Sequence, residues 1–470
     1  DEIFRGFPFT ENNAIARPMS DMLQKLDAQG LINANKELSA FYESVGYRMI
    51  NVTTVQERQR VIVDLFERFF KVAFPKLQEK LGIVYTPIEV VDFINHSVND
   101  ILKNEFSLHL GCQGVNIIDP FTGTGTFLTR MMQSPELIAP EELAYKYQHD
   151  LHGNELLPLA YYVASINLES VYHHLMQLDG AHYQRNRIMV LQDTFADCNA
   201  HTRALVELAE TGKMPSSFAV NDQQGEAQQS VNFQVIVGNP PYSVGQKSQN
   251  DDNQNEHYEE LERCINETYV AQATGVTNSN SLFDSYIKAF RWASNRLDNK
   301  SGVIAFITNA GWITSAAANG MRRCLQEEFS AIYIYHLKGN GRASGEQGRK
   351  EGENIFGHGS RAAIAITVLV KNRDSQEQGK IYFAAIDDYL SQAEKLAQLK
   401  KLGSMSNVPL VEITPDSFGD WIDQRRTDFT NFITVDGKKN ANHAIFANFS
   451  RGIATGRDAW SYNSNKPTLE

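Results

Sequence analysis

From residue 115 to residue 370, short apolar runs of strand length alternate with segments of helical periodicity, and no other feature narrows the possible folds as far. Strand-length runs fall at 115–119, 151–154, 188–191, 233–237, 303–307, 332–336 and 362–370, with helical spacing at 127–132, 158–176, 282–293 and 321–329 among them. A strand that leaves its sheet through a helix and returns as a neighbour does so in parallel, and helices accumulate on both faces. The predicted fold class is therefore α/β, with a doubly wound, mostly parallel sheet. The last run differs. A glycine-rich stretch without helical pattern separates 362–370 from 332–336, which fits a hairpin.

A length of 470 residues exceeds one ordinary domain and leaves room for additions at both ends of a core of about 250. Upstream, Val61, Leu65, Phe69, Val72 and Leu77 recur at helical spacing, so the first eighty residues are predicted to form a small helical unit. Two polar stretches, 243–280 and 338–354, lie past the C-terminal ends of strands, where open α/β sheets bind ligands, and are expected to be mobile lids. Hydrophobic residues at 42% and charged residues at 21% exclude a disordered or fibrous chain. There is no apolar run of about 18 residues and no basic start with an apolar core behind it, so a cytoplasmic protein without membrane spans is expected. Four scattered cysteines lack the paired spacing of a zinc site, and no metal is expected. The start on Asp1 and the stop at Glu470, shortly after Trp460, suggest a piece of a longer polypeptide.

Four motifs fall at strand ends. The first, Asp119-Pro120-Phe121-Thr122-Gly123-Thr124-Gly125-Thr126, follows a strand and opens a helix. Its glycines let backbone approach a ligand, and the helix start offers free N–H groups to a phosphate or to the carboxylate of an amino-acid-like cofactor. A tight turn would look the same. The second, Gly153-Asn154-Glu155, places a carboxylate where it can accept both hydrogen bonds of a ribose diol. The third ends on Asp193, with Phe195 nearby, an acceptor for an adenine amino group beside an apolar ring. Taken singly, Glu155 and Asp193 are ordinary caps or surface charges; as a series at consecutive strand ends they describe an adenosine site.

The fourth motif is Val237-Gly238-Asn239-Pro240-Pro241-Tyr242. Two prolines forbid continuation of the strand, which leaves the Asn239 side chain and the Pro240 carbonyl at the sheet edge with Tyr242 beside them. An exocyclic amine on a heteroaromatic ring is a poor nucleophile, because its lone pair is delocalised. Two acceptors that hold both amino hydrogens shift the nitrogen towards tetrahedral and aim its lone pair at an electrophile. Tyr242 supplies a stacking face.

In this order the motifs resemble the gamma class of amino-methyltransferases acting on DNA adenine N6, over about residues 80 to 375. The resemblance implies a Rossmann-like methyltransferase sheet, S-adenosyl-L-methionine as cofactor and double-stranded DNA as partner. It assigns cofactor contacts to Tyr85, Thr86 and Pro87, to Asp119, Phe121, Gly123 and Gly125, and to Glu155, Asp193 and Phe195. Catalysis falls to Asn239, Pro240, Pro241 and Tyr242, with Phe356 covering the other face of a flipped base. Residues 450–460 look like the beginning of a target-recognition domain in single-polypeptide Type ISP restriction-modification enzymes, where a nuclease and a helicase-like motor lie on the same polypeptide. The organisation so implied is a coupler-like helical unit at 1–80, a methyltransferase domain at 81–375, and a linker with the start of a recognition domain at 376–470. A net charge of -12 suits a polyanion-binding protein only if its basic surface is local or its main DNA-gripping domain lies elsewhere. Methylation of a protein glutamine amide or of RNA adenine needs the same fourth motif and remains open, whereas a dinucleotide-dependent oxidoreductase would leave that motif without a purpose.

Overall fold

The structure is a computed structural model that describes residues 86–178, 182–196, 216–242, 257–275, 278–357, 360–424, 432–436 and 444–446. The expected helical unit at 1–80 and Tyr85 lie outside them. The chain divides into two compact units, Asp1–Ile422 and Asp423–Glu470.

In the first unit nine strands form one sheet: β1 (Ile117–Asp119), β2 (Leu151–Glu155), β3 (Met189–Leu191), β4 (Val235–Gly238), β5 (Gly302–Asn309), β6 (Ala331–Lys338), β7 (Ile364–Lys371), β8 (Lys380–Ala385) and β9 (Val411–Ile413). Their spatial order is β3-β2-β1-β4-β5-β7-β6-β8-β9. The first five run parallel, as expected from the helices between them. β7 inserts antiparallel between β5 and β6, so the last two expected strands are indeed antiparallel neighbours. The chain turns outward at β1: β2 and β3 lie on one side of it and β4 and β5 on the other. That reversal opens a crevice beyond the strand ends.

Alternation along the central strands supplies two cores. Val235, Val237, Val303, Ala305 and Ile307 face one core, packed against helix α1 (Ile88–Phe106), α2 (Thr126–Gln133) and α3 (Pro158–Leu175). Ile236, Ile304 and Phe306 face the other, with Phe290, Ala293 and Leu297 of α4 (Ser285–Leu297) and Met321 and Leu325 of α5 (Asn319–Glu328). With both faces covered, β5 and β7 are buried along all but their last residue, and this is why they read as unbroken apolar runs.

Three features differ from expectation. The polar stretch 243–280 is described from residue 257, and from Glu259 it is helical; Leu261, Ile265 and Tyr269, four residues apart, are buried in a stripe that the surrounding Glu and Asn conceal. The glycine-rich stretch 338–354 contains the short helix Gly345–Glu351 and is tied down at its base. Glu351 is buried, its carbonyl accepts from Lys395 Nζ at 2.9 Å, and Asn354 Nδ2 bridges the carbonyls of Gly339 and Ala362 at 2.9 and 2.8 Å. Gly345 opens that helix and Gly348 lies within it, while Gly352 caps its end. Lastly, the sheet continues past residue 375. β8 pairs with β6, β9 with β8, and helix α6 (Gln392–Leu402) packs on α1, where Ser404 Oγ reaches Asp100 Oδ2 at 2.6 Å and Met405 N–H reaches Ser97 Oγ at 2.8 Å. The buried Arg322 guanidinium then binds the carbonyl of Gly419 and the carboxylate of Asp420, closing the unit beside Trp421. In the second unit, strands Thr434–Asp436 and Ala444–Phe446 pair in parallel.

Candidate active site

Of the expected cofactor residues, Asp119, Phe121, Gly123, Gly125, Glu155, Asp193 and Phe195 stand at or just past the tips of β1, β2 and β3. Asp119, the last residue of β1, is fully buried; one carboxylate oxygen accepts the Phe121 N–H at 3.1 Å, and the other has no partner among the described residues. Burial pushes its pKa up to about 8, the Phe121 N–H opposes the rise and the nearby Glu155 adds to it. Such an orphaned acid is costly to keep unless a donor or cation completes it. The turn that follows needs glycine: Gly123 has φ 54° and Gly125 φ 84°, and a side chain on Gly123 would project into open space. That space is where a ligand can meet backbone.

Glu155 closes the turn from the side. Its carboxylate accepts the N–H groups of Gly123 and Leu157, each at 2.8 Å, so each oxygen keeps one lone pair for a further donor. Burial raises its pKa to about 7 against these backbone donors. At the tip of β3, Asp193 accepts the Phe195 N–H at 2.9 Å and the Tyr258 hydroxyl at 2.8 Å. The Phe195 ring lies 5.3 Å from Phe121 and 5.4 Å from Tyr258. The Phe195 ring thus packs against both Phe121 and Tyr258.

The fourth motif stands beside this site. An added Cβ on Gly238 would sit 2.7 Å from Asp119 Oδ1, so only glycine lets β4 bring Asn239 against the tip of β1. The Asn239 amide is held at both ends: Nδ2 donates to Thr86 Oγ1 at 3.0 Å, and Oδ1 accepts the Tyr242 hydroxyl at 2.6 Å. The same hydroxyl reaches the Ile307 carbonyl at 3.0 Å. Pro240 is buried and Pro241 half-buried, as the two prolines leave the strand. The Phe356 ring meets the Tyr242 ring at 6.2 Å with the planes tilted by 49°, so the two aromatics adjoin rather than face one another in parallel.

Thr86 thus contacts the Asn239 amide, and Pro87 stands at the N-cap of α1. Sequence reasoning missed Tyr258, the Thr86–Asn239 bond and the Ile307 carbonyl. The one available signal for Tyr258 was an aromatic residue immediately before the stripe Leu261, Ile265, Tyr269.

The Eco57I restriction-modification methylase family model matches residues 100–342, more than half of the chain, and the model of the Type ISP restriction-modification enzyme coupler domain matches residues 1–57. Among solved structures, the ATP-dependent Type ISP restriction-modification enzyme LlaBIII bound to DNA is 37% identical with a TM-score of 0.84, over 99% of this chain and 30% of its own. A nuclease-deletion mutant of the Type ISP enzyme LlaGI, in complex with a DNA substrate mimic, is 38% identical with a TM-score of 0.81, over 97% of this chain and 36% of its own. DrdV in its DNA complex is 32% identical with a TM-score of 0.83, over 96% and 43%. The chain thus spans 30% to 43% of the length of these relatives. A comparison with curated proteins gives no match. With the motif series in place at the strand tips, and the family model matching over them, the chain belongs to the Eco57I restriction-modification methylase family.

Proposed function

We propose that the chain transfers a methyl group from S-adenosyl-L-methionine to N6 of an adenine turned out of duplex DNA, as the methyltransferase part of a larger restriction-modification enzyme. The observation that carries this proposal is the contact between the tips of β1 and β4, where Gly238 lets the amine-acceptor motif lie directly against the buried, incompletely bonded carboxyl of Asp119. An amine activated at Asn239 then lies next to a pocket suited to a cationic nucleoside. The relatives solved with DNA support DNA as the substrate, and the ATP dependence of one and the deleted nuclease of another support further activities, a nuclease among them, on the same full-length polypeptide. We place its action in the cytoplasm, with the DNA; among the described residues no helix is long and apolar enough to cross a membrane.

The residues present fit the cofactor. Asp119 would accept from its ammonium group, Gly123 would admit it to the backbone, Glu155 would take the ribose hydroxyls and Asp193 the adenine amino group. When bound, it supplies a methyl group on a positively charged sulfur. The chain does the rest. Asn239 Oδ1 and the Pro240 carbonyl accept the two amino hydrogens of the target base and draw its lone pair out of the ring. The proton that the alkylated nitrogen sheds leaves along one of these two hydrogen bonds. Extrusion of the base costs a few kcal/mol. Stacking of the base on an aromatic ring, at about 1–3 kcal/mol, offsets that cost; Tyr242 supplies the face and Phe356 adjoins it.

To test this, duplex DNA is incubated with radiolabelled cofactor and the full-length enzyme, then digested to nucleosides. Label in 6-methyladenine, lost with Asn239→Ala while cofactor affinity is retained, is expected. Undiminished labelling by Asn239→Ala would remove Asn239 from catalysis.

A further inference from the structure

The cofactor site proposed above is the ground for a further step: the geometry points to Tyr258 as a positioning residue that holds Asp193 in the orientation that selects a purine bearing an exocyclic amino group. Both Asp193 oxygens are already engaged, Oδ1 by the Phe195 N–H at 2.9 Å and Oδ2 by the Tyr258 hydroxyl at 2.8 Å. A carboxylate torsion is otherwise broad, with little to favour one rotation over another. Two donors from different segments, 65 residues apart in the case of Tyr258, fix that plane before any ligand arrives. Each oxygen still has a lone pair. The carboxylate therefore presents acceptors only, in a set direction, to whatever ring enters between the tips of β2 and β3.

Tyr258 is itself anchored. Its ring stands edge-on to Phe195 at 5.4 Å, and the ammonium of Lys288 lies 5.0 Å from its centroid. Lys288 is 3% exposed and pairs with Glu262 at 2.6 Å, on the helix that Tyr258 precedes. The hydroxyl is thus aimed by packing and by the ion pair between Lys288 of α4 and Glu262 of the helix that follows Tyr258, and the aim is passed to Asp193. A ring with an amino group donates to that carboxylate, whereas a ring with an oxo group in its place meets two acceptors face to face. Pre-orientation lowers the cost of binding only for the ligand that uses the oriented group.

Tyr258→Phe keeps the ring, its contact with Phe195 and its contact with Lys288, and removes only the hydroxyl. The test measures the binding of S-adenosylhomocysteine and of S-inosylhomocysteine, its 6-oxo counterpart, to the 470-residue chain by calorimetry. Tyr258→Phe is expected to weaken the adenosyl ligand about three- to tenfold, the loss of one hydrogen bond, and to leave the inosyl ligand unchanged, so that discrimination shrinks. In an Asp193→Ala background, Tyr258→Phe is expected to add nothing. Equal weakening of both ligands, or unchanged discrimination, overturns the positioning role while leaving the cofactor site standing. Failure of the unsubstituted chain to bind the adenosyl ligand at all overturns the cofactor site itself, and the inference with it.

Discussion

At the scale of single residues, the candidate site holds two carboxyls that the fold makes reluctant to ionise. Asp119 is raised to about 8 and Glu155 to about 7, in both cases chiefly by burial. Both folded values exceed the ordinary carboxylate range of about 4, so above that range the folded chain holds protons that the unfolded chain has released. Stability from these groups is therefore complete at low pH and falls as pH rises towards 8. A cationic ligand favours the ionised forms and reverses the trend. Affinity for S-adenosylmethionine is expected to increase between about pH 6 and about pH 7.5, and calorimetry across that window checks it; a flat profile would separate these two acids from the ligand. The Tyr242 hydroxyl acts at the same scale, because it fixes Asn239 Oδ1 at 2.6 Å. Tyr242→Phe is expected to slow methyl transfer about fivefold without changing cofactor affinity, which single-turnover kinetics would measure.

At the scale of elements, the packing that makes glycine necessary at position 238 is the most exposed to test. A methyl group there would lie 2.7 Å from Asp119 Oδ1, and both strands are buried and cannot retreat. Gly238→Ala is expected to cost about 1–3 kcal/mol, read as a lower melting temperature, and to weaken cofactor binding with it. Elements of this central kind were legible in the sequence. β5 and β7 are covered on both faces, and the turns at Gly123 and Asn239 announce themselves by glycine and proline. The outer elements were not. β9 is a three-residue edge strand of mostly exposed side chains, β8 is buried at only one position, and the helix at Glu259 carries a single apolar stripe under acidic residues. The site divides in the same way. Asp119, Glu155 and Asp193 sit where strand ends must put them, whereas one partner of Asn239, Thr86, and one of Asp193, Tyr258, come from 153 and 65 residues away, a distance over which local periodicity carries no information.

At the scale of the whole molecule, the charge is the constraint. A chain with net charge -12 repels a polyanion except where basic groups are concentrated, and phosphate contacts carry most of the affinity for DNA. The 470-residue chain by itself is accordingly expected to bind duplex DNA weakly and with little sequence preference at physiological salt. Tight, sequence-specific binding in a gel-shift assay would locate recognition within it. The central claim, that Asn239 activates an adenine amine, is tested most directly by the methylated bases in DNA from cells that carry the full-length gene. Mass spectrometry of the nucleosides should find 6-methyladenine with the unaltered gene and none above background with Asn239→Ala. Only 4-methylcytosine, no methylated base with the unaltered gene, or 6-methyladenine persisting with Asn239→Ala would contradict it.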